Sequence, residues 1–81
     1  MLELYILSNC PYCKKVMDYM DENGIEYSKN DISDDVNNSN LIAIGGKEQV
    51  PFLYNTETNK GMYESDEIIE YIKTERINSD E

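Results

Sequence analysis

The stretch "YILSNCPYCKKV" (residues 5–16) contains both cysteines of the chain, two residues apart and with a proline after the first. The apolar run "LELYIL" (2–7) overlaps its start and is typical of a buried strand. After Cys10 the apolar residues recur every three or four positions, which is the pattern of one helix face. They are Cys13, Val16, Met17 and Met20. This stretch therefore predicts a strand followed by a helix that begins at the cysteine pair.

The ends of this helix carry local signals. Pro11 fits the first helical position, where its missing N–H is no loss, so Cys10 is expected at the N-cap. Gly24 is expected just beyond the C-terminus. The loosely alternating "IEYSKNDI" (25–32) predicts a second strand, and strand, helix and strand fit the length of a parallel βαβ unit.

The rest of the chain predicts two more helices and two more strands. Ser33, Asp34 and Asp35 open a second helix, which we expect to be short and mobile because "VNNSN" (36–40) has low helix propensity. Gly45-Gly46 ends it. The two strands are "VPFLYN" (50–55) and "GMY" (61–63).

Ser65 is expected to cap the last helix, "DEIIEYIKTER" (66–76). Its expected core residues are Ile68, Ile69 and Ile72, and its expected C-terminal cations are Lys73 and Arg76. The predicted order is β-α-β-α-β-β-α, an α/β fold. We expect a single domain over residues 1–76 and a short polar tail at 77–81.

The 81 residues carry a net charge of −10, with 17 acidic and 7 basic side chains. This charge argues against nucleic acid and anionic membranes, because both need Lys or Arg to neutralise them. The N-terminus has no basic region, and its apolar stretch is too short for a signal peptide or a membrane span. We therefore expect a cytoplasmic protein, where a close cysteine pair is more often catalytic or metal-binding than structural.

The cysteine pair fits redox chemistry. Two cysteines and no histidine cannot fill a four-ligand zinc site within one chain, so we expect no metal. A thiol at a helix N-cap faces the positive end of the helix dipole, and such sites lower a cysteine pKa from about 8.5 to about 3.5–7.5. Lys14 is expected to add positive charge, and Pro11 to rigidify the pair. Cys10 is then the reactive thiol, while Cys13 is more buried, keeps a higher pKa and resolves the mixed disulfide.

The quoted stretch resembles the start of a glutaredoxin, whose signature is strand, loop and Cys-Pro-Tyr-Cys. The resemblance extends through "QVPFLY" (49–54) and "YESDEIIEYI" (63–72) and covers nearly the whole chain. It implies a thioredoxin-like fold, with a four-stranded mixed sheet flanked by three helices. It also implies glutathione-dependent thiol–disulfide exchange in electron transport and redox homeostasis. Glutathione would be a co-substrate, with no bound cofactor, and the other partners would be disulfide-containing or glutathionylated proteins.

The resemblance assigns a role to several residues. Cys10 resembles the nucleophile that accepts the glutathionyl group, and Cys13 the resolving cysteine. Tyr12 resembles the aromatic wall of the glutathione groove. Val50 resembles the valine whose backbone pairs with the peptide part of glutathione, ahead of a cis proline at Pro51; from the residues alone, a trans Pro51 that starts an edge strand is the alternative.

Two positions depart from the usual glutaredoxin pattern. The turn before the last helix is closer to the Glu-Ser turn of glutathione transferase N-terminal domains, where Ser65 and the helix N-terminus would bind a carboxylate and either Glu64 or Asp66 the amine. Ser65 as a plain cap is compatible with that role. The loop before Cys10 lacks the lysine that many relatives place there, and Lys47 or Gln49 would have to replace it.

Three other functions stay open. One is a glutaredoxin-like electron donor that thioredoxin reductase reduces. A second is a glutathione-ligated [2Fe–2S] carrier, which a proline after the first cysteine disfavours. A third is a redox-inactive adaptor. We expect a monomer, and we discount a transferase because its helical second domain would begin where this chain stops.

Overall fold

The computed structural model describes residues 1–75 and arranges them in the predicted order of four strands and three helices. The elements are β1 (Leu2–Ile6), α1 (Pro11–Glu22), β2 (Ser28–Asp31), α2 (Asp35–Gly45), β3 (Phe52–Asn55), β4 (Lys60–Met62) and α3 (Ser65–Glu75). Three predictions lie outside the described residues: the place of Arg76, the domain boundary after it and the tail at 77–81.

The strands form one mixed sheet in the order β2-β1-β3-β4. β1 pairs with β2 in parallel, while β3 is antiparallel to both β1 and β4. This arrangement confirms the predicted thioredoxin-like α/β fold. Tyr5 near the end of β1 lies opposite Phe52 at the start of β3. The chain therefore leaves β1 toward Cys10 at the same edge of the sheet where Pro51 enters β3.

Alternation along the central strands divides the core into two faces. The thiol face contains Leu4 of β1 and Leu53 of β3, and α1 and α3 cover it. Its buried residues are Leu2, Leu4, Ile6, Cys13, Val16, Met20, Ile25, Leu53, Ile68 and Ile72. The aromatic face is smaller, and α2 covers it with Leu41. Its buried residues are Tyr5, Ile32, Leu41 and Phe52.

Helix α1 has the predicted ends. Cys10 has extended φ and ψ of −95° and 115° and occupies the N-cap, with Pro11 at the first helical position. The helix ends at Glu22, and Gly24 follows with φ of 66°, a left-handed conformation that suits glycine. Three of the four residues predicted on its inner face are buried, and Met17 packs against the same core while half-buried.

Helix α2 differs from the prediction in its length. It has 11 residues, as many as α3, so the prediction of a short helix is wrong. Of the three residues predicted to open the helix, Asp34 provides the N-cap, because its carboxylate accepts from the N–H groups of Val36 and Asn37 at 2.9 and 3.3 Å. This cap stabilises the first turn despite the low propensity of the asparagines that follow. Gly46, with φ of 92°, ends the helix as predicted.

Helix α3 begins one residue earlier than predicted. Ser65 is its first residue, and the Glu64 carbonyl accepts the first helical bond from the N–H of Ile68 at 3.0 Å. The cap position therefore belongs to Glu64, whose φ of 40° turns the chain into the helix. Ile68 and Ile72 are buried as predicted. Ile69 is only half-buried and outside the core, because its position on the helix lies beside the stripe that the other two share.

Strands β1, β2 and β3 are shorter than their sequence patterns, whereas β4 has the predicted length and begins one residue earlier, at Lys60. β2 begins at Ser28 rather than at residue 25, and β3 begins at Phe52 rather than at residue 50. Ile25 and Ile32 are nonetheless buried, so apolar residues that flank β2 contribute to the core without belonging to the strand. None of the three helices within residues 1–75 is long and apolar enough to span a membrane.

Candidate functional site

The two cysteines lie one helical turn apart at the start of α1, and both are free thiols. The Sγ atom of Cys10 accepts a hydrogen bond from the backbone N–H of Cys13 at 3.3 Å. Cys10 is half-buried, whereas Cys13 is fully buried in the core of the thiol face. The predicted difference in burial between the two thiols is therefore confirmed.

Burial raises the pKa of the Cys13 thiol from its ordinary value of 9.0 to about 12. The hydrogen bond with Cys10 and the negative charge on that sulfur act in the same direction. A backbone hydrogen bond with Leu7 opposes them. At neutral pH Cys13 is consequently a protonated, unreactive thiol as long as Cys10 is free.

The two lysines after the cysteine pair form ion pairs. Lys14 donates to the carboxylate of Asp18 at 2.8 Å, one turn further along the exposed face of α1. Its charge is therefore compensated by Asp18. Lys15 donates to Asp66 of α3 at 2.7 Å, and this ion pair lowers the pKa of the Asp66 carboxyl.

A pocket of about 470 Å³ opens where α1, the segment before β3 and the start of α3 meet. It is lined by the seven residues that the resemblance implies for glutathione: Tyr12, Gln49, Val50, Pro51, Glu64, Ser65 and Asp66. The Val50–Pro51 peptide bond is cis, as the resemblance implies. The Tyr12 side chain is exposed at the pocket wall, whereas Ser65 is buried at the first turn of α3.

The segment that carries Gln49, Val50 and Pro51 is held by a residue that the sequence analysis did not select. The Tyr63 hydroxyl donates to the Lys47 carbonyl at 2.9 Å and accepts from the Lys47 N–H at 3.3 Å. The Tyr63 ring packs on Phe52, with centroids 4.6 Å apart, and the Lys47 ammonium lies 4.8 Å from its centroid. Lys47 thus binds Tyr63 and does not line the pocket. Of the two residues proposed to replace the lysine that is missing before Cys10, Gln49 lies at the site and Lys47 does not.

The two acidic residues of the pocket have different partners. Glu64 accepts a long hydrogen bond of 3.4 Å from the side-chain amide of Gln49, which is neutral. Asp66 is bonded to Lys15, which is charged. Sequence reasoning missed Lys15 because its partner is 51 residues away. The only local signal was the position of Lys15 two residues after the cysteine pair.

Several known proteins are similar to this chain in sequence or in structure. The family model of the glutathione S-transferase N-terminal domain matches residues 4–78. The chain belongs to this family. One solved structure with the family's fold is a glutathione transferase Omega 3C from Trametes versicolor, which is 27% identical with a TM-score of 0.81. The match covers 93% of this chain and 33% of the transferase, so the chain spans about a third of that protein's length.

Two further structures show how widely the same fold is used. A buckwheat glutaredoxin, solved in complex with glutathione, is 20% identical with a TM-score of 0.71 and covers 94% of this chain and 71% of its own. A thioredoxin-like protein is 19% identical with a TM-score of 0.79, and the match covers 91% of this chain and 97% of that protein. This family member therefore has the thioredoxin-like fold that the sequence predicts. No curated protein sequence matches it.

Proposed function

We propose that this domain is a glutaredoxin-type thiol–disulfide oxidoreductase that reduces protein disulfides and glutathione mixed disulfides, with glutathione as co-substrate. One observation carries the proposal. A half-buried thiol caps α1 one turn before a buried thiol, and Tyr12 in the first turn of the same helix lines a pocket that unites all seven residues expected to bind glutathione. Cys10 and Cys13 are the catalytic residues of this proposal.

In the first step, the Cys10 sulfur attacks the substrate disulfide. One S–S bond forms with Cys10, the original S–S bond breaks, and one substrate thiolate leaves. The N–H of Cys13 and the dipole of α1 stabilise negative charge on the attacking sulfur. No separate base is needed, because a thiolate is itself the nucleophile.

In the second step, Cys13 attacks the Cys10 sulfur and releases the second substrate thiolate. Burial holds the Cys13 pKa high, but two further causes of its raised pKa come from Cys10. Both act only while Cys10 is a free thiol or thiolate, so formation of the mixed disulfide removes them. Cys13 thereby becomes easier to ionise at the stage when it must react. Glutathione is the alternative nucleophile at this stage.

The pocket offers a place for the peptide part and the γ-glutamyl end of glutathione. The Val50 backbone would pair with its peptide part, beside Tyr12. Ser65 and the unpaired N–H groups at the start of α3 would bind its α-carboxylate. We assign its ammonium group to Glu64 rather than Asp66, because Lys15 already compensates the Asp66 charge, whereas Glu64 receives only a neutral amide.

The second cysteine supports exchange over conjugation. Transfer of glutathione to an electrophile needs one activated group, whereas reduction of a protein disulfide by a dithiol uses a second thiol to release the first. Cys13 lies one turn from Cys10, where it can fill that role. The α1 start of this family member therefore fits an oxidoreductase.

A glutathione-coupled assay with a mixed disulfide substrate, run on the wild type, Cys10→Ser and Cys13→Ser, tests the proposal. We expect Cys10→Ser to show no turnover above background. Cys13→Ser should retain deglutathionylation and lose the reduction of protein disulfides. Urea unfolding of each variant verifies that it is folded, and an equal loss of both activities in both variants would contradict the assigned roles.

One observation favours a second candidate, an electron donor that thioredoxin reductase reduces. Within the described part of the chain, no lysine or arginine lines the pocket, so no cationic side chain there pairs with the glycine carboxylate of glutathione. Turnover with thioredoxin reductase and NADPH, compared with turnover with glutathione, glutathione reductase and NADPH, separates the two. Faster turnover with thioredoxin reductase would assign the reductant without changing the roles of the cysteines.

A further inference from the structure

The candidate pocket has an unbalanced charge. Glu64 and Asp66 are two of its seven lining residues, and within residues 1–75 no cationic side chain lines it. Lys15 compensates Asp66 from outside the pocket at 2.7 Å. Glu64 has only the neutral Gln49 amide as its partner. A substrate that approaches Cys10 past this wall therefore meets at least one uncompensated negative charge.

The lysines of residues 1–75 lie outside the pocket. Two of them are compensated by carboxylates, Lys14 by Asp18 and Lys15 by Asp66. Lys47, Lys60 and Lys73 lie against neutral tyrosine rings and keep their charge, but none of them lines the pocket. The whole chain retains a net charge of −10. Its long-range field and the local charge of the pocket consequently have the same sign.

We propose that the preferred oxidising substrates of this site are disulfides that carry positive charge, either basic polypeptide segments or small amine disulfides. The inference rests on the proposed function, because it concerns the disulfide that Cys10 attacks. The reduced dithiol supplies both electrons: the substrate disulfide becomes two thiols, and Cys10 and Cys13 become one disulfide. No other reductant takes part in this half-reaction.

The same charge acts against anionic disulfides. Glutathione disulfide is net negative, so we expect it to oxidise the reduced domain more slowly than a cationic disulfide does. Each like or unlike charge pair about 8 Å apart changes a rate by about twofold in water at low salt. Because such a pair speeds a cation and slows an anion, the Glu64 charge alone predicts a ratio of about fourfold between the two substrate classes, and the net charge of −10 raises it to about tenfold.

A single-turnover experiment with three small disulfides measures this ratio. Pre-reduced wild-type protein is mixed with cystamine, 2-hydroxyethyl disulfide or 3,3′-dithiodipropionate, quenched with acid and assayed for the protein disulfide by mass spectrometry. Each rate is divided by the rate of dithiothreitol with the same disulfide, which corrects for the leaving group. We expect a normalised cation-to-anion ratio of about ten at 0.01 M salt and near one at 1 M, where the Debye length is about 3 Å.

Two disulfide-linked peptides distinguish a basic polypeptide from a small amine disulfide as the favoured substrate. They are identical except that one has lysine and the other glutamate beside the cysteine. A preference for the lysine peptide as large as that for cystamine indicates that charge alone selects the substrate. A larger preference for the peptide indicates a basic polypeptide as the favoured source. Both results support the inference, and equal rates for the two peptides and the three small disulfides would overturn it.

Two variants should move the ratio in opposite directions. Glu64→Gln removes the uncompensated pocket charge, and the ratio at 0.01 M salt should fall about fourfold, because the cation slows and the anion speeds up. Lys15→Gln exposes the charge of Asp66, and the ratio should rise about fourfold. Glu26→Gln is the matched control. Glu26 follows α1 at the end opposite to Cys10, and a 12-residue helix is about 18 Å long, so at 0.01 M salt this charge should change the ratio far less than the charge of Glu64 does.

The outcomes separate this inference from the proposed function. If the wild type reduces none of the disulfides faster than Cys10→Ser does, the proposed function fails. If it reduces all of them at the same normalised rate, the function stands and the charge preference fails. Changes of the ratio in the same direction for Glu64→Gln and Lys15→Gln would indicate a structural effect and would also overturn the preference.

Discussion

The two faces of the sheet pack different kinds of side chain, and each face supplies a different part of the candidate site. On the thiol face, aliphatic residues of α1 and α3 enclose Cys13. On the aromatic face, Tyr5 and Tyr63 pack against Phe52, with ring centroids 5.9 and 4.6 Å apart. The thiol face fixes the starts of α1 and α3. The aromatic face fixes the segment 47–51 through the hydrogen bonds of Tyr63.

The two faces thus affect different parts of the candidate site. The aliphatic core of the thiol face determines how strongly the Cys13 thiol is desolvated. The aromatic layer determines where the segment before β3 lies, and so the shape of the pocket. Substitutions in the thiol face should therefore change stability and thiol chemistry, whereas substitutions in the aromatic face should change pocket-dependent binding.

The largest expected difference is in the cost of a cavity on each face. Ile68→Ala, on the thiol face, should lower the free energy of unfolding by about 3–5 kcal/mol, and Leu41→Ala, on the aromatic face, by about 2–3 kcal/mol. Both side chains are fully buried. Ile68 lies in a cluster of ten buried residues, whereas Leu41 lies in a cluster of four beneath a helix with exposed Ile42 and Ile44, which can relax.

Urea unfolding at neutral pH measures both costs, and a change in midpoint at constant slope identifies a change in stability. Ile68→Val is the milder control and should cost about 0.5–1.5 kcal/mol. A cost for Leu41→Ala that equals or exceeds that of Ile68→Ala would show that the smaller cluster is as constrained as the larger one.

Each face also buries an ionisable group, Cys13 on the thiol face and Tyr5 on the aromatic face. The two groups should lower the free energy of unfolding over different alkaline pH ranges. Burial raises the pKa of Cys13 from 9.0 to about 12 and raises that of Tyr5 above its ordinary 10.0. Both groups lose their protons more easily in the unfolded chain. Their contribution to stability is therefore complete below the unfolded pKa and is lost as pH rises toward the folded pKa.

The free energy of unfolding, measured under reducing conditions from pH 8 to pH 12, should thus decline from about pH 9. Cys13→Ala should remove the part of the decline that begins at pH 9, and Tyr5→Phe only a part that begins near pH 10. Tyr27, whose pKa is raised to about 12 by burial and the Asp21 carboxylate, contributes equally in both variants. An unchanged slope between pH 9 and 10 in Cys13→Ala would contradict the desolvation of this thiol.

The elements of the thiol face could be predicted from the sequence because their signals are local. Cys10, Pro11 and Gly24 mark the ends of α1 within the helix itself. The apolar spacing of α1 identifies its buried stripe without any knowledge of its neighbours. The seven pocket residues were predicted in another way, from the likeness of separate stretches to glutaredoxins and, for the turn before α3, to glutathione transferase N-terminal domains, and the structure brings those stretches together.

The aromatic face could not be predicted in the same way. Tyr63 binds the backbone of Lys47, 16 residues away, and nothing in the local sequence of either residue indicates this contact. Ser65 has the usual chemistry of an N-cap, yet the positive φ of Glu64 places it inside the helix. Such features depend on how segments distant in sequence meet, so propensity and spacing contain no signal for them.

The next largest effect concerns the close approach of α2 to the aromatic layer. At Gly45, an added Cβ would lie 2.8 Å from the ring carbon Cζ of Tyr63 and 3.1 Å from Cε1 of Phe52. Gly45→Ala should therefore cost about 1–3 kcal/mol through overpacking and also displace the segment that Tyr63 holds. We expect a several-fold rise in the KM for glutathione, measured in the coupled assay.

Gly46→Ala is the matched control for this substitution. Its Cβ would meet no atom within 4 Å, but the φ of 92° costs a residue with a side chain about 1–2 kcal/mol. The two variants should thus be similar in urea unfolding and differ in the assay. A KM that rises equally in both would mean that lost stability, rather than the position of the segment, limits binding.

The smallest expected effect on stability is also the sharpest test of the comparison, because it changes one hydroxyl. Tyr63→Phe removes the hydrogen bonds to Lys47 and leaves the ring on Phe52, and it should cost about 1 kcal/mol. Tyr54→Phe removes a hydrogen bond of similar length, 2.8 Å to Asn59, from β3 and away from the pocket, and should cost about the same.

Only Tyr63→Phe should raise the KM for glutathione. It should leave the rate of alkylation of Cys10 by iodoacetamide unchanged, since the thiol lies on the other face. If Tyr63→Phe instead slows alkylation and leaves the KM unaltered, the two faces are not independent, and the aromatic layer contributes to thiol reactivity as well as to recognition.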